Sequence, residues 1–176
     1  GVSYFVVNAI PNSLEKSANF LVVEDTTKAL QEAARYYKKQ FEFPTIAITG
    51  SNGKTIVKEW LNFLLSPDYL VVRSPRSFNS QVGVPLSIFG INEHHDLGIF
   101  EAGISRQGEM SKLEAIIQPT IGIFTHIGSA HDDGFIDREE KIIEKSQLFK
   151  HCEVVVLQKN EAIEKHIKMP IFTWSF

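Results

Sequence analysis

The sequence contains only one cysteine, Cys152, among 176 residues. An internal disulfide is therefore excluded, and the absence of disulfides is typical of proteins from a reducing compartment such as the cytoplasm. Cys152 comes just before the apolar run 154–157. We therefore expect a buried thiol that contributes to packing and does not act as a nucleophile.

Other features are also missing from the sequence. No apolar stretch is long enough to span a membrane, and the N-terminal residues lack the pattern of a signal peptide. Lysine and arginine are scattered and the net charge is −3, so the composition does not indicate nucleic-acid binding. Hydrophobic residues make up 43% of the chain, as in a packed globular protein. The length suits one domain and part of a second.

After Pro44, short apolar segments alternate with segments of helical periodicity. This alternation predicts an α/β fold, a mostly parallel sheet with helices on both faces. The predicted strands are Thr45–Thr49, Leu70–Arg73, Leu97–Glu101, Ile121–Thr125, Val154–Leu157 and Ile171–Trp174. The predicted helices are Lys54–Leu65, Val84–Phe89, Glu109–Ile117, Arg138–Lys150 and Glu161–Ile167.

The residues before Pro44 follow a different pattern. Tyr4–Val7 and Phe20–Val23 are predicted strands, and the polar residues Pro11 to Ser13 between them indicate a turn. An apolar stripe at helical spacing predicts a helix over Thr26–Phe41, which Asp25 or Thr26 is placed to cap.

The segment from Gly50 to Thr55, Gly-Ser-Asn-Gly-Lys-Thr, stands between a predicted strand and a predicted helix. Such a turn holds phosphate oxygens on backbone N–H groups at the helix N-terminus. Lys54 would reach the terminal phosphates and Thr55 would bind Mg²⁺. The usual pattern, G-x-x-x-x-G-K-[ST], has its first glycine where this chain has Ile48. The alternative is a plain strand–turn–helix with an exposed lysine.

The residues that follow the other strands are also candidates, since ligands bind beyond the carboxyl ends of parallel strands. Glu101 ends one strand two positions before a glycine and suits a Mg²⁺ ligand, or else is a solvated surface residue. His126 and His131 follow the next strand and make a second metal position plausible. The loop 73–83 is an anion-binding or an ordinary polar loop.

The predicted helix at Arg138 begins with a capping box, in which Asp137 is the cap and Glu140 the reciprocal residue. Lys145 lies beside the apolar stripe of this helix, between Ile142 and Phe149. From the residues alone, we expect the lysine to extend along the stripe to reach water.

Five segments together resemble the Mur ligase family, the ATP-dependent amide ligases of peptidoglycan synthesis. The match runs from about Glu24 to Asn160, and it implies a P-loop NTPase-like central domain that uses ATP and Mg²⁺. The segments are Thr49–Thr55, Asn79–Pro85, Phe100–Gly103, Thr125–His131 and Glu144–Phe149.

The resemblance implies a role for each matching residue. Gly50, Ser51, Asn52, Gly53, Lys54, Thr55 and Asn79 would hold the ATP phosphates. Thr55, Glu101, His131 and Lys145 would hold magnesium, Lys145 as a carbamate that turns an ammonium into a carboxylate. Lys54, Glu101, His131 and Lys145 would be the catalytic residues. Two positions depart from the family pattern. Ile56 stands where family members commonly have a threonine, and His126 stands where they usually have an asparagine.

The resemblance also implies a domain organisation and substrates. Residues 1–42 would be the end of an N-terminal domain that binds the UDP-linked substrate. Residues 43–176 would be an incomplete central ATP-binding domain, and the C-terminal ligase domain would be absent. The best-matching type of family member uses UDP-N-acetylmuramoyl-tripeptide and D-alanyl-D-alanine, in some bacteria as a fusion to an alanine racemase. We therefore expect the fragment alone to be inactive.

Three alternatives stay open from the sequence. The first is a ligase of the same superfold that acts on folates, as folylpolyglutamate synthases do. The second is a P-loop kinase or a GTPase-like switch, although the guanine-reading motif N-K-x-D is absent. The third is a binding module that holds a nucleotide without catalysis.

Overall fold

Six parallel strands form the main sheet of the computed structural model, which describes residues 2–10, 18–128 and 134–175. The strands are β3 (Thr45–Thr49), β4 (Val71–Arg73), β5 (Leu97–Glu101), β6 (Ile121–Phe124), β7 (Val154–Gln158) and β8 (Ile171–Trp174). Their order in the sheet is β4-β5-β3-β6-β7-β8. The predicted parallel α/β sheet is confirmed.

The central strand β3 is buried along its whole length. It pairs with β5 on one side, where Ile48 lies opposite Glu101, and with β6 on the other, where Thr49 lies opposite Phe124. Because all three strands run in the same direction, their carboxyl ends meet at one edge of the sheet. The turn after β3 therefore lies between Glu101 and the residues that follow Phe124.

Helices cover both faces of the sheet. On one face α2 (Lys54–Leu65) packs its apolar side, with Val57, Leu61 and Leu65, against residues of β3 and β5. The larger core lies on the other face, beneath the remaining helices. These are α1 (Thr26–Lys38), α3 (Gly83–Ile88), α4 (Met110–Ile117), α5 (Arg138–Ser146) and α6 (Glu161–Glu164). In the described residues, no helix is both long and apolar enough to cross a membrane.

A second, two-stranded sheet precedes α1. Its strands, β1 (Tyr4–Val7) and β2 (Asn19–Val22), pair in parallel. The turn predicted at Pro11 to Ser13 lies outside the described residues.

The predicted caps are confirmed. Asp25 accepts hydrogen bonds from the N–H groups of Thr27 and Lys28 at the start of α1. Asp137 accepts one from the N–H of Glu140, at 2.8 Å, at the start of α5. The Glu140 carboxylate accepts from the N–H of Ile136, the residue before the cap. Both helices therefore begin directly after an aspartate whose side chain accepts from the first free N–H groups of the helix.

Four predicted helices are shorter in the structure, α4 by one residue at its start. α1 ends at Lys38, and the chain turns after it. The Lys38 ammonium donates a hydrogen bond to the carbonyl of Phe41 across this turn. α6 covers only Glu161–Glu164. α5 ends at Ser146, and a 3₁₀ turn, Gln147–Phe149, follows it. The Phe149 ring packs directly on Gly122 of β6, because a Cβ added at Gly122 would lie 2.2 Å from the ring. The tighter 3₁₀ turn is thus found where Phe149 packs on the sheet.

Candidate nucleotide-binding site

The turn between β3 and α2 depends on two glycines with positive φ angles. Gly50 has a φ of +145°, and a Cβ added there would lie 2.1 Å from the Thr125 hydroxyl oxygen. Gly53 has a φ of +83° and is the cap residue of α2, with no side chain to satisfy the first N–H groups of the helix. The turn therefore presents a helix N-terminus whose N–H groups can bind phosphate oxygens.

Residues after β6 hold this turn in place. The N–H of Ser51 donates to the carbonyl of His126 at 2.7 Å, and the Ser51 hydroxyl donates to the carbonyl of Gly128 at 3.1 Å. The Thr125 hydroxyl donates to the carbonyl of Asn52 at 2.6 Å. No local pattern in the sequence indicates these contacts of Thr125, since the bonds form only when β3 and β6 are adjacent.

Lys54 is the first of three lysines that converge on the turn. Its ammonium donates to the carbonyls of Gly50, at 2.8 Å, and Ser51. The Lys145 ammonium donates to the same Gly50 carbonyl at 3.3 Å, and Lys141 donates to the carbonyl of Gly128 at 2.7 Å. Lysine side chains around one helix N-terminus make an anion-attracting site.

Burial, together with the convergence of the lysines, lowers the pKa of two of them. Burial lowers the pKa of Lys54, which Glu101 raises and Lys141 lowers further. Burial, and then repulsion from Lys54 and Lys141, lower the pKa of Lys145 to about 7. A large part of Lys145 is therefore an uncharged, nucleophilic amine near neutral pH.

The interpretation that Lys145 reaches water is wrong. The side chain is buried with 1% of its surface exposed, because α5 packs Lys145 towards the carboxyl end of β3 instead of along the surface. The interpretation of Glu101 as a solvated residue is also wrong, since it has no exposed surface.

Glu101 contacts Thr55, another candidate metal ligand, and Asn79. Its Oε2 atom accepts hydrogen bonds from the Thr55 hydroxyl at 3.1 Å and from the Asn79 amide at 3.4 Å. Neighbouring oxygens around an octahedral Mg²⁺ ion lie about 2.9 Å apart, given Mg–O distances of about 2.0–2.1 Å. The Thr55 and Glu101 oxygens therefore fit two adjacent positions of such an ion.

These protein oxygens do not complete a metal site. Within the described ranges there is no group of three or more His, Cys, Asp or Glu side chains that could hold a metal ion. A Mg²⁺ ion usually keeps several waters and is shared with substrate phosphates instead of sitting in a cage of side chains. The Thr55–Glu101 pair suits this kind of shared site.

Gly103 allows Asn79 to approach Glu101. The N–H of Gly103 donates to the Asn79 carbonyl at 2.8 Å, and a Cβ at Gly103 would lie 2.8 Å from the Asn79 Oδ1 atom. The loop 73–83 therefore reaches the site through Asn79. Arg73, by contrast, pairs with Glu59 at 3.2 Å and is exposed.

Two buried lysines, Lys58 and Lys141, were missed in the sequence analysis. Lys58 has no exposed surface, and its ammonium lies 3.0 Å from Glu101 Oε1. A signal was present in the sequence, because Lys58 falls on the apolar stripe of α2 with Leu61 and Leu65.

Other predicted residues contribute less or lie elsewhere. His131 is outside the described residues, so its predicted metal role stays a prediction. The His126 side chain is exposed, and its backbone carbonyl is what contacts the turn. Cys152 is buried, and burial and the nearby Glu114 raise its pKa to about 12, as expected for a packing thiol.

The site and the fold define a class of protein. A glycine-rich turn joins a central parallel strand to a helix, and a lysine, a hydroxyl and an acidic residue lie at its edge. This is the architecture of P-loop nucleotide-binding domains.

The chain belongs to the Mur ligase family, because the Mur ligase middle domain matches residues 48–174. It is 42% identical over 131 residues to the UDP-N-acetylmuramoyl-tripeptide–D-alanyl-D-alanine ligase of Treponema pallidum, covering 73% of this chain and 28% of that protein. It is 38% identical over 141 residues to the ligase of the same name from Borreliella burgdorferi, covering 80% of this chain and 30% of that protein. The chain therefore spans less than a third of the length of these relatives.

Solved structures have the same fold. A crystal structure of MurF from Acinetobacter baumannii superimposes with a TM-score of 0.85 at 28% sequence identity, over 96% of this chain and 38% of that one. The MurF ligase of Thermotoga maritima, solved in complex with ADP, superimposes with a TM-score of 0.86 at 24% identity, over 99% of this chain and 42% of that one. Because the sequence identity is only 24%, the similarity to the Thermotoga maritima structure shows the fold alone.

Proposed function

We propose that this chain is the ATP-binding part of a ligase that joins D-alanyl-D-alanine to UDP-N-acetylmuramoyl-tripeptide. The observation that carries the proposal is the convergence of Lys54, Thr55, Glu101 and Lys145 at one sheet edge, around a phosphate-binding turn. The names of relatives at 38–42% identity support the choice of substrates.

The proposed reaction activates a carboxylate. A carboxylate oxygen of the UDP-linked tripeptide attacks the γ-phosphorus of ATP, and ADP leaves as the P–O bond to it breaks. The amine of D-alanyl-D-alanine then attacks the acyl carbon of the acyl phosphate, loses a proton, and expels inorganic phosphate as the amide forms.

The residues of this chain would act by positioning and by charge neutralisation. The N-terminus of α2 and Lys54 would hold the phosphates, and Asn79 would hold Glu101 and the phosphates in register. Thr55 and Glu101, with His131 and a carbamate on Lys145, would hold Mg²⁺. When bound, Mg²⁺ neutralises charge that builds up on the phosphate oxygens.

The proposal includes a domain organisation. Residues 1–42 would be the C-terminal part of an N-terminal substrate domain. The separate β1–β2 sheet supports this division. Residues 43–176 would be an incomplete central domain. The exposed apolar residues of α2, which include Trp60 at 68% and Phe63 at 79%, support contact with further parts of a longer protein. A cytoplasmic location is part of the proposal, in keeping with the single, buried cysteine.

The test of the proposed function uses the full-length protein and the 176-residue chain in parallel. We expect the full-length protein to release phosphate from ATP only when both UDP-N-acetylmuramoyl-tripeptide and D-alanyl-D-alanine are present. The isolated chain should form no amide, because it spans less than a third of the length of the ligases it resembles. Turnover with folate and glutamate in place of these substrates would contradict the proposal, and so would robust ligation by the chain alone.

Carbamylation of Lys145 is a second expected result. With a pKa of about 7, roughly nine-tenths of the Lys145 amine is uncharged at pH 8, against less than about 1% of an ordinary lysine. We expect ¹³C-bicarbonate to give a carbamate NMR signal from Lys145, distinct from that of the N-terminal amine, which grows as the pH rises through about 7. Lys145→Arg should lack this signal and Lys141→Arg should keep it. If the same signal persists in Lys145→Arg, the assignment is contradicted.

A further inference from the structure

Lys58 is a buried cation that the mechanism above does not use. It lies on α2 one helical turn after Lys54, and its side chain has no exposed surface. Four oxygen atoms surround its ammonium group. They are the carbonyl oxygens of Ser74, at 2.9 Å, and Arg76, and the carboxylate oxygens of Glu59, at 3.1 Å, and Glu101, at 3.0 Å.

These contacts leave Lys58 no capacity to bind a phosphate. Of its three N–H donors, two are used by the carbonyls of Ser74 and Arg76, and the charge is paired with the carboxylates of Glu59 and Glu101. The lack of exposed surface also means that a ligand cannot reach the group without displacing protein atoms. Lys58 therefore differs from Lys54, whose ammonium lies beside the open end of the phosphate-binding turn.

The contacts of Lys58 instead orient Glu101. The two oxygens of the Glu101 carboxylate have separate partners, because Oε1 faces Lys58 while Oε2 faces Thr55 and Asn79. Holding Oε1 leaves Oε2 directed to the side where a metal ion would share Thr55. Without this cation, the buried carboxylate would be free to turn.

Lys58 also joins three elements at the edge of the sheet. Through the carbonyls of Ser74 and Arg76 it holds the start of the loop after β4 against α2. Ser74 in turn contacts β5, because its hydroxyl accepts from the N–H of Glu101 at 3.1 Å. The same loop carries Asn79. Lys58 therefore holds both Glu101 and the loop from which Asn79 contacts Glu101.

We propose that Lys58 is a positioning residue, which holds the Glu101 carboxylate and the loop 74–79 in the arrangement that accepts a Mg²⁺–nucleotide. The inference rests on the proposed function, and it adds a residue that acts through Glu101 without touching the nucleotide. Lys58→Met removes the charge and keeps the length of the side chain. Lys38→Met is the matched control, because Lys38 is also buried, at 4% exposure, but contacts Phe41 and Phe43 away from the site.

The first experiment measures ADP affinity with and without Mg²⁺ in the 176-residue chain. We expect Mg²⁺ to strengthen ADP binding by ~10-fold or more in the wild type and by less than about 2-fold in Lys58→Met. The affinity without Mg²⁺ should stay nearly unchanged in Lys58→Met, and Lys38→Met should behave as the wild type. An undiminished Mg²⁺ effect in Lys58→Met would overturn the proposal. Equal weakening with and without Mg²⁺ would also overturn it, as that result indicates a phosphate contact.

The second experiment does not depend on nucleotide binding. The urea midpoint of unfolding is compared for Lys58→Met, Glu101→Gln and the double variant. A buried carboxylate that loses its cation is strongly destabilising, whereas removing both charges is much less so. We therefore expect Glu101→Gln to restore most of the midpoint that Lys58→Met loses. Additive losses would overturn the pairing of the two residues.

The two experiments separate failure of this inference from failure of the proposed function. A wild-type chain that binds ADP with no Mg²⁺ effect, or does not bind it, counts against the proposed use of Thr55 and Glu101. In that case the double variant still decides whether Lys58 holds Glu101.

Discussion

Replacing Lys54 by methionine is expected to weaken ADP binding by ~100-fold, since an ammonium–phosphate contact in a partly buried site is worth a few kcal/mol. The Lys54 ammonium lies at the N-terminus of α2, within 2.8 Å of the Gly50 carbonyl, where the turn would hold the phosphates. Methionine keeps the length of the side chain and removes only the charge. Isothermal titration calorimetry with ADP measures the loss.

The same variant separates binding from folding. Burial disfavours the charge of Lys54, and attraction to Glu101 and repulsion from Lys141 oppose each other, so Lys54→Met should leave the thermal midpoint nearly unchanged. Lys54→Met should also raise the pKa of Lys145, because Lys54 lowers that pKa more than any other charged group does. The control is Lys39→Met, an exposed lysine after α1, which should bind ADP normally. Unchanged affinity in Lys54→Met would count against every nucleotide-binding interpretation of the site.

Gly50→Ala is expected to destabilise the chain by ~3 kcal/mol or more, and to abolish nucleotide binding. The added Cβ would lie 2.1 Å from the Thr125 hydroxyl and 2.9 Å from the His126 carbonyl oxygen, and φ is +145°. Strain at such an angle costs of order 1–3 kcal/mol, and the clash with backbone atoms adds to this cost. Relief would require moving the end of β6, which holds Ser51. Urea unfolding measures the loss of stability.

Two other glycines serve as controls for Gly50→Ala. Gly108 has a φ of +73°, and a Cβ added there meets no atom within 4 Å, so Gly108→Ala reports the cost of the backbone angle alone. Gly53 has a φ of +83° and its Cβ would come only within 3.8 Å of Thr125. Both variants should cost ~1 kcal/mol. Equal losses in all three variants would show that crowding against β6 is not what makes Gly50 necessary.

Periodicity and turn chemistry made most of the fold predictable. Strand β3 and helix α2 begin and end where the sequence predicts, because a run of apolar residues and a pair of glycines define them locally. The ends of α5 and α6 were not predictable in this way. Phe149 needs the 3₁₀ turn to lie on Gly122 of β6, and nothing near residue 149 in the sequence indicates that contact.

The candidate site was predictable in part, for the same reason. Lys54, Thr55 and Glu101 stand at strand ends or in a recognisable turn, so the rule that ligands bind beyond parallel strands selects them. Lys58 and Lys141 stand inside helices, where a lysine is normally solvated. Their burial depends on which face of α2 and of α5 points to the sheet edge.

The sequence by itself determined the parallel α/β fold, the phosphate-binding turn and the resemblance to the Mur ligases, because each follows from neighbouring residues or from motifs in order along the chain. Only the tertiary structure decided how charges separated by tens of residues meet. It buried Lys145 beside Lys54 and Lys141, which lowers the pKa of Lys145 to about 7, and it placed Lys58 against Glu101. Burial and charge repulsion depend on distances in space, and strand order sets those distances.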